Sequence, residues 1–463
     1  MSELATESLP AEVVPGRGRA TRSSSRTWLA RAALIAGLVL LVARAATASA
    51  AFMQAGGIIP GWSTQPVAVC TLCNLPKPVV NRQHPLTPAE YAAQLEQHLS
   101  LTDKIGQMVM IEFYDADVTP DAYQMIYGLH VGGVLLFGSS IQSASQVSAL
   151  TSGLQKLAPT PLLVAVDQEG GSVNRFQTIV GDTPSAGSLA DPAAARARGT
   201  ADAQVLHKYG FNFNLAPVVD VGPAVALCCN RTFGSDPARV AAMAGAYVEG
   251  LQADGRVAAC LKHFPGLGSV TTNPDTQMPY LNRSRADWES TDVAPYRTLL
   301  KTDDIRGIMV SPEMIPEVDP NLPSTLSPAF VTRVLRNELG FQGLIITDSL
   351  HTGSLSGNWT VAQAAVLAIE AGVDIALGPY TPSIAHDTLD AIRQAVRTGA
   401  ITTKRIDESV MRILTLKLQL GLIPMPAAGP GRGGGQRGDA VPGGSVSAIV
   451  PGRAARERLG DAS

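Results

Sequence analysis

The chain has 463 residues, 45% of them hydrophobic and only 16% charged, which is enough apolar material for one large buried core with tails on either side. Its net charge is −3, and no basic stripe runs through the central region. That balance argues against a nucleic-acid partner.

At the N-terminus, Arg17, Arg19, Arg22, Arg26 and Arg31 precede an apolar run of twelve residues from Ala32 to Ala43, and Ala48-Ser49-Ala50 offers a small-residue cleavage site. This is the layout of a signal peptide or signal anchor over residues 1–50. A permanent span needs roughly 20 apolar residues, so the interruption at Arg44 favours the cleaved form. Both forms lead to the same expectation of an exported protein, secreted where the segment is cleaved, or attached to the outer face of the cytoplasmic membrane where it stays on as a tether. Residues 51–86 lack periodicity and read as a linker. Residues 425–463 are Gly-, Pro- and Ala-rich and read as a disordered tail, which leaves 87–424 as the folded unit.

Cys70 and Cys73 form a C-x-x-C in the linker, with no second pair at zinc-binding spacing, so a local disulfide is expected there. Cys228 and Cys229 are adjacent, and Cys260 sits in an apolar run as a small hydrophobe.

Within 87–424, eight short apolar runs alternate with helical patterns: 106–113, 131–137, 161–169, 211–220, 257–264, 306–312, 343–349 and 373–379. Segments 143–158 and 237–255 carry apolar residues at helical spacing. Near-continuous apolar strands, each followed by a helix, indicate a parallel sheet covered on both faces, and eight such units predict an α/β fold of the (β/α)8 TIM-barrel type. The rival, an open doubly wound sheet, lacks a glycine-rich fingerprint after the first strand.

Polar residues fall at the ends of these runs: Asp167 and Glu169, Asp220, Lys262 and His263, Glu313 and Asp348. In a barrel that is the catalytic face, although any one of the acids could equally cap the following helix. Asp348, in LIITDSLHTGSL, would emerge on a rigid strand where a carboxylate serves as nucleophile or base. Asp167 precedes Gly170-Gly171, which lets the backbone approach a ligand closely, and Arg175 reaches back towards it. Lys262 and His263 are consecutive, so an unbroken strand would point them to opposite sides, and only a bulge would turn both to the mouth.

The motifs VDQEGGSVNRF, NLAPVVDV, NRTFGSDP and KHFPGLG and the Asp348 strand, in this order over about 95–424, resemble the family 3 glycoside hydrolases, in particular the single-domain bacterial β-N-acetylglucosaminidase branch. The resemblance implies that Asp348 is the nucleophile of a retaining hydrolysis. It also implies that Asp167, Arg175, Arg231, Lys262 and His263 hold a terminal β-linked sugar, with N-acetylglucosamine from cell-wall glycans the first candidate, and that no metal or organic cofactor is needed.

The proton carrier departs from the pattern. The branch commonly reads KHFPGHG followed by an Asp-Ser/Thr-His element, whereas here Leu267 and Asp275-Thr276-Gln277 stand in those places, and Pro312 replaces a further histidine. Glutamine cannot donate and recover a proton near neutral pH. Asp275 serves as the acid if burial raises its pKa. Otherwise His351 or Glu313 takes over, or the protein is a sugar-binding pseudoenzyme. A Schiff-base lyase using Lys262 is a further alternative.

Overall fold

The structure, a computed structural model, describes residues 86–223, 228–302 and 304–426, together with 68, 70 and 72–75. The expected signal segment and most of the expected tail lie outside the described residues. Among the described residues no helix is long and apolar enough to cross a membrane.

All eight apolar runs form strands: β1 (Val109–Phe113), β2 (Gly133–Leu136), β3 (Leu163–Val166), β4 (Phe213–Asn214), β5 (Ala258–Phe264), β6 (Gly307–Val310), β7 (Leu344–Thr347) and β8 (Ala376–Leu377). They make one eight-stranded sheet in which each strand pairs in parallel with the next and β8 returns to β1 through Val109–Ala376 and Met110–Leu377. A parallel bridge between Ile346 and Ile375 joins the remaining two edges and brings the sheet nearly to closure. Closure removes the free edges that an open sheet would leave. Every residue of these strands is buried, because side chains on one face fill the barrel and those on the other meet the helices.

The β3–β4 junction departs from ordinary ladder pairing. Asn212 and Asn214 are buried, and their amides take over backbone contacts to the neighbouring strand. Asn212 Oδ1 accepts from Val164 N–H (3.0 Å) and its Nδ2 donates to the Leu162 carbonyl (3.1 Å). Asn214 does the same with both backbone groups of Gln168, each at 3.0 Å. The alternation Phe-Asn-Phe-Asn is therefore not an apolar face opposite a wet one: the amides substitute for peptide groups, and β4 stays two residues long in the ladder.

Helices follow the strands with side-chain caps at their starts. Ser143, Asp191, Asp236, Thr360, Thr381 and Thr402 each accept a backbone N–H, and Pro follows directly at 192, 237 and 382. The expected helical segments appear as Ala144–Leu157 and Pro237–Gln252. One insertion interrupts the strand–helix alternation: after β3, a small antiparallel hairpin of Gln168–Gly170 and Val173–Asn174 stands at the mouth of the barrel. Cys70 and Cys73 are disulfide-bonded, as are Cys228 and Cys229, while Cys260 is a free, buried thiol within β5.

Candidate active site

The C-terminal ends of the strands surround a cavity of about 630 Å³, within the roughly 300–1,000 Å³ of small-molecule sites. Asp167, Arg175, Arg231, Lys262, His263, Asp275 and Asp348 all line it.

Lys262 and His263 share the cavity because β5 does not stay regular. Its pairing with β6 shifts register between Leu261 and Phe264. The buried Lys262 ammonium lies 2.6 Å from Asp167 Oδ1 and 2.7 Å from Glu169 Oε1. Glu169 in turn receives a two-pronged grip from Arg231, Nε to Oε2 and Nη2 to Oε1, both 2.7 Å. Such fork geometry fixes direction as well as charge. Burial alone would raise the Glu169 pKa, but Lys262 and Arg231 outweigh it and hold it down to about 2. For Lys262 burial pulls downward, yet Asp167 and Glu169 keep the pKa above the ordinary value. An amine held protonated in this way is the reverse of what Schiff-base chemistry requires, so the cluster speaks against the lyase reading. Asp167 is thus paired with Lys262, and the Arg175 guanidinium stands in the cavity wall with its buried Nε unpartnered.

His263 lies on the floor. Its Nδ1 is 2.7 Å from Asp220 Oδ2, and the other Asp220 oxygen accepts the Leu267 N–H at 2.7 Å. Asp220 therefore orients the imidazole and pins the start of the following loop. Leu267, at the place where the family pattern carries a histidine, is fully buried in the core. Glu313 is also fully buried and accepts from Gly266 N–H (3.0 Å) and Ser311 Oγ (2.5 Å), so it braces the loop from beneath and does not reach the cavity. Its burial drives its pKa well up.

Asp348 follows directly on β7, its N–H donating to the Val310 carbonyl (2.9 Å) and its Oδ1 accepting from Ser349 N–H (2.8 Å). Burial raises its pKa and the Asp275 charge adds to that, while His263, the Ser349 N–H and Lys262 act in the opposite sense. Asp275 also lines the cavity and is exposed. Gln277 is exposed as well.

Carboxylates, an ammonium, guanidinium groups and an imidazole around a cavity at the mouth of a (β/α)8 barrel match the motif order read in the sequence, and the comparison with known families decides the matter. The profile described as the glycosyl hydrolase family 3 N-terminal domain matches residues 100–416. The chain belongs to glycosyl hydrolase family 3.

This family 3 chain is 36% identical over 338 residues to a β-hexosaminidase, LpqI, of Mycobacterium tuberculosis, covering 69% of the chain and 83% of that relative. With a β-hexosaminidase of Alkalilimnicola ehrlichii it shares 38% identity over 257 residues, 53% of the chain and 73% of the relative. Among solved structures, M. tuberculosis LpqI superposes with a TM-score of 0.65 at 32% identity, covering 73% of this chain and 98% of that one. A family 3 β-N-acetylglucosaminidase from a Paenibacillus species gives 0.66 at 32% identity, covering 72% of this chain and 65% of that longer one. The chain is accordingly a glycoside hydrolase of the β-N-acetylhexosaminidase-like group.

Three residues that organise the site were absent from the sequence-derived set. Glu169 and Asp220 had been noted at strand ends without a partner, because an ion pair across strands leaves no trace in local spacing. Glu112, buried at the end of β1 and lining the cavity, carries the one signal that could have found it: a single acid closing the otherwise uncharged run 106–113.

Proposed function

We propose that the protein is an exported retaining glycosidase that removes terminal β-linked N-acetylglucosamine from cell-wall-derived glycans, with Asp348 as nucleophile. The observation that carries this reading is the placement of Asp348 on a rigid strand end in a cavity that also contains the Lys262–Asp167–Glu169 cluster and the Asp220-oriented His263. A sugar seated there offers its hydroxyls to Asp167, Lys262, His263 and Arg175, while Arg231 acts by fixing Glu169. Asp348 then attacks the anomeric carbon to give a glycosyl-aspartate that water resolves. The arginine-rich, apolar N-terminal segment supports export, and the names of the relatives support the sugar.

Incubation with 4-nitrophenyl N-acetyl-β-glucosaminide is expected to release nitrophenol, and Asp348→Asn to abolish release with an unchanged thermal midpoint. Sugar binding seen by calorimetry, with no turnover of the aryl substrate, would instead establish a binding protein on this barrel.

A further inference from the structure

Retaining hydrolysis requires a group that protonates the leaving oxygen and later takes a proton from water. Among the titratable side chains lining the cavity, Asp167, Glu169, Lys262 and Arg231 are tied together in one ion-pair cluster. His263 is bound to Asp220 on the floor, its side chain only 6% exposed. With the sugar seated as proposed above, against Asp167, Lys262 and His263, the leaving oxygen points away from that cluster and towards the mouth. Asp275 is at the mouth but exposed.

His351 differs from all of these. It lines the cavity on the loop directly after Asp348, with its side chain 35% exposed. Its Nδ1 stands 2.9 Å from Ser349 Oγ and 3.4 Å from Glu112 Oε2. Glu112 is 1% exposed, accepts the Tyr114 hydroxyl at 2.5 Å, also takes a hydrogen bond from Ser349, and keeps a buried Oε1 without a partner. Tyr380 packs against the imidazole, ring centroids 4.8 Å apart. A buried carboxylate facing one ring nitrogen fixes the proton there and leaves the other nitrogen for chemistry, and among the described residues no group hydrogen-bonds Nε2. The charged and titratable groups around this imidazole are Glu112 and Tyr114 from β1 and its loop, Asp348 directly after β7, Tyr380 from the loop after β8, and Asp275 from the loop after β5.

We propose that His351 is the proton-transferring catalytic residue of this site, with Glu112, assisted by Ser349, as its positioning residue. This rests on the hydrolase reading above. In the first step an Asp348 oxygen bonds to the anomeric carbon, the bond to the leaving oxygen breaks with its electron pair, and that oxygen takes the Nε2 proton. In the second, water attacks the same carbon, the ester bond breaks with its pair returning to Asp348, and the water proton passes to Nε2.

The test compares the full-length parent, His351→Ala, Asp275→Ala and Glu112→Gln on a β-linked N-acetylglucosamine disaccharide and on the 2,4-dinitrophenyl glycoside, whose leaving group needs no proton. His351→Ala is expected to lose about 10²–10⁴-fold on the disaccharide, the usual worth of a general acid. It is expected to lose far less in the first step on the aryl glycoside, and added azide should accelerate aryl turnover and yield the glycosyl azide. Glu112→Gln is expected to lower kcat on the disaccharide with KM nearly unchanged and to leave the aryl glycoside far less affected, because it misplaces the proton donor while the sugar contacts stay intact. Equal losses on both substrates without azide product, unchanged rates in His351→Ala, or the azide pattern appearing in Asp275→Ala would each overturn the assignment. A parent that releases no dinitrophenol sinks the hydrolase reading itself, and this proposal with it.

Discussion

At the scale of single residues, the site is organised by Glu169 more than by any group that touches a reacting atom. Among the described residues it is the only carboxylate that pairs with both Lys262 and Arg231, and removing one member of a buried ion cluster leaves charge uncompensated, at a cost of about 3–5 kcal/mol. Glu169→Gln is therefore expected to lower the thermal midpoint at neutral pH and to weaken sugar binding. The pH dependence has a definite sign. The folded pKa of about 2 lies below the ordinary 4.5, so between those values the unfolded chain binds more protons than the fold, and the stabilisation present above pH 4.5 is lost as pH falls towards 2. At roughly 1.4 kcal/mol per pKa unit the effect is about 3 kcal/mol. Thermal melts of parent and variant from pH 7 to pH 3 should converge as the pH drops; a gap that stays constant would show that Glu169 titrates normally. The sequence made the cavity-lining set legible because strand ends are marked by the close of an apolar run, as at Asp348 and Asp167. It could not show that Asp167 serves Lys262, or that Glu313 is buried away from the cavity, since both depend on which strand ends face each other across the barrel.

At the scale of elements, the number and order of the strands were legible, because a parallel strand buried on both faces is written as an apolar run, while their ends were not: the run 211–220 pairs only over Phe213–Asn214 and 373–379 only over Ala376–Leu377. The loops were not, and it is loop against loop that sets the mouth. Residues 273–276 dock on the segment after β7: Gly353 N–H donates to the Asp275 carbonyl (2.9 Å) and Ser354 N–H to the Pro274 carbonyl (3.2 Å). A Cβ on Gly353 would fall 2.3 Å from the Thr276 carbonyl oxygen, so only glycine permits this approach. Gly353→Ala must push the two loops apart, displacing both Asp275 and the segment that carries His351. A misplacement of about 1 Å can cost on the order of 10²-fold in rate. The expected outcome is a loss of kcat/KM of that order with a small change in thermal midpoint, because the docked residues are largely exposed. Steady-state kinetics alongside a melt would check it, and an unchanged kcat/KM would mean that the lip does not position the chemistry.

At the scale of the whole molecule, the barrel separates duties between its two ends: the mouth holds the reactive groups and the opposite end holds the fold together. Asp374, fully buried just before β8, is the clearest case. It accepts from Ile345 N–H (2.9 Å) at the start of β7, from Ser409 Oγ (2.6 Å), and from Arg412 (3.1 Å) and Arg336, so one carboxylate joins the last two strands to the helices Ala329–Glu338 and Thr403–Gln419. Burial holds the pKa of Arg336 at about 10, below its usual value, even with Asp374 opposing the shift. Without the aspartate, three guanidinium groups, those of Arg336, Arg405 and Arg412, would lose the carboxylate they pair with, at the seam where β7 meets β8. Asp374→Ala is expected to cost about 3–5 kcal/mol and, at roughly 2–4 °C per kcal/mol for a domain of a few hundred residues, to lower the thermal midpoint by about 6–20 °C. Among the described residues, none of the side-chain partners of Asp374 lines the cavity, so kcat on the aryl glycoside at 25 °C, measured on the folded fraction, should stay within about twofold of the parent. Asp348→Asn should show the opposite pair of effects, activity lost and midpoint kept. If Asp374→Ala instead lowered kcat in proportion to stability, the two ends of the barrel would be coupled and the division of labour would fail.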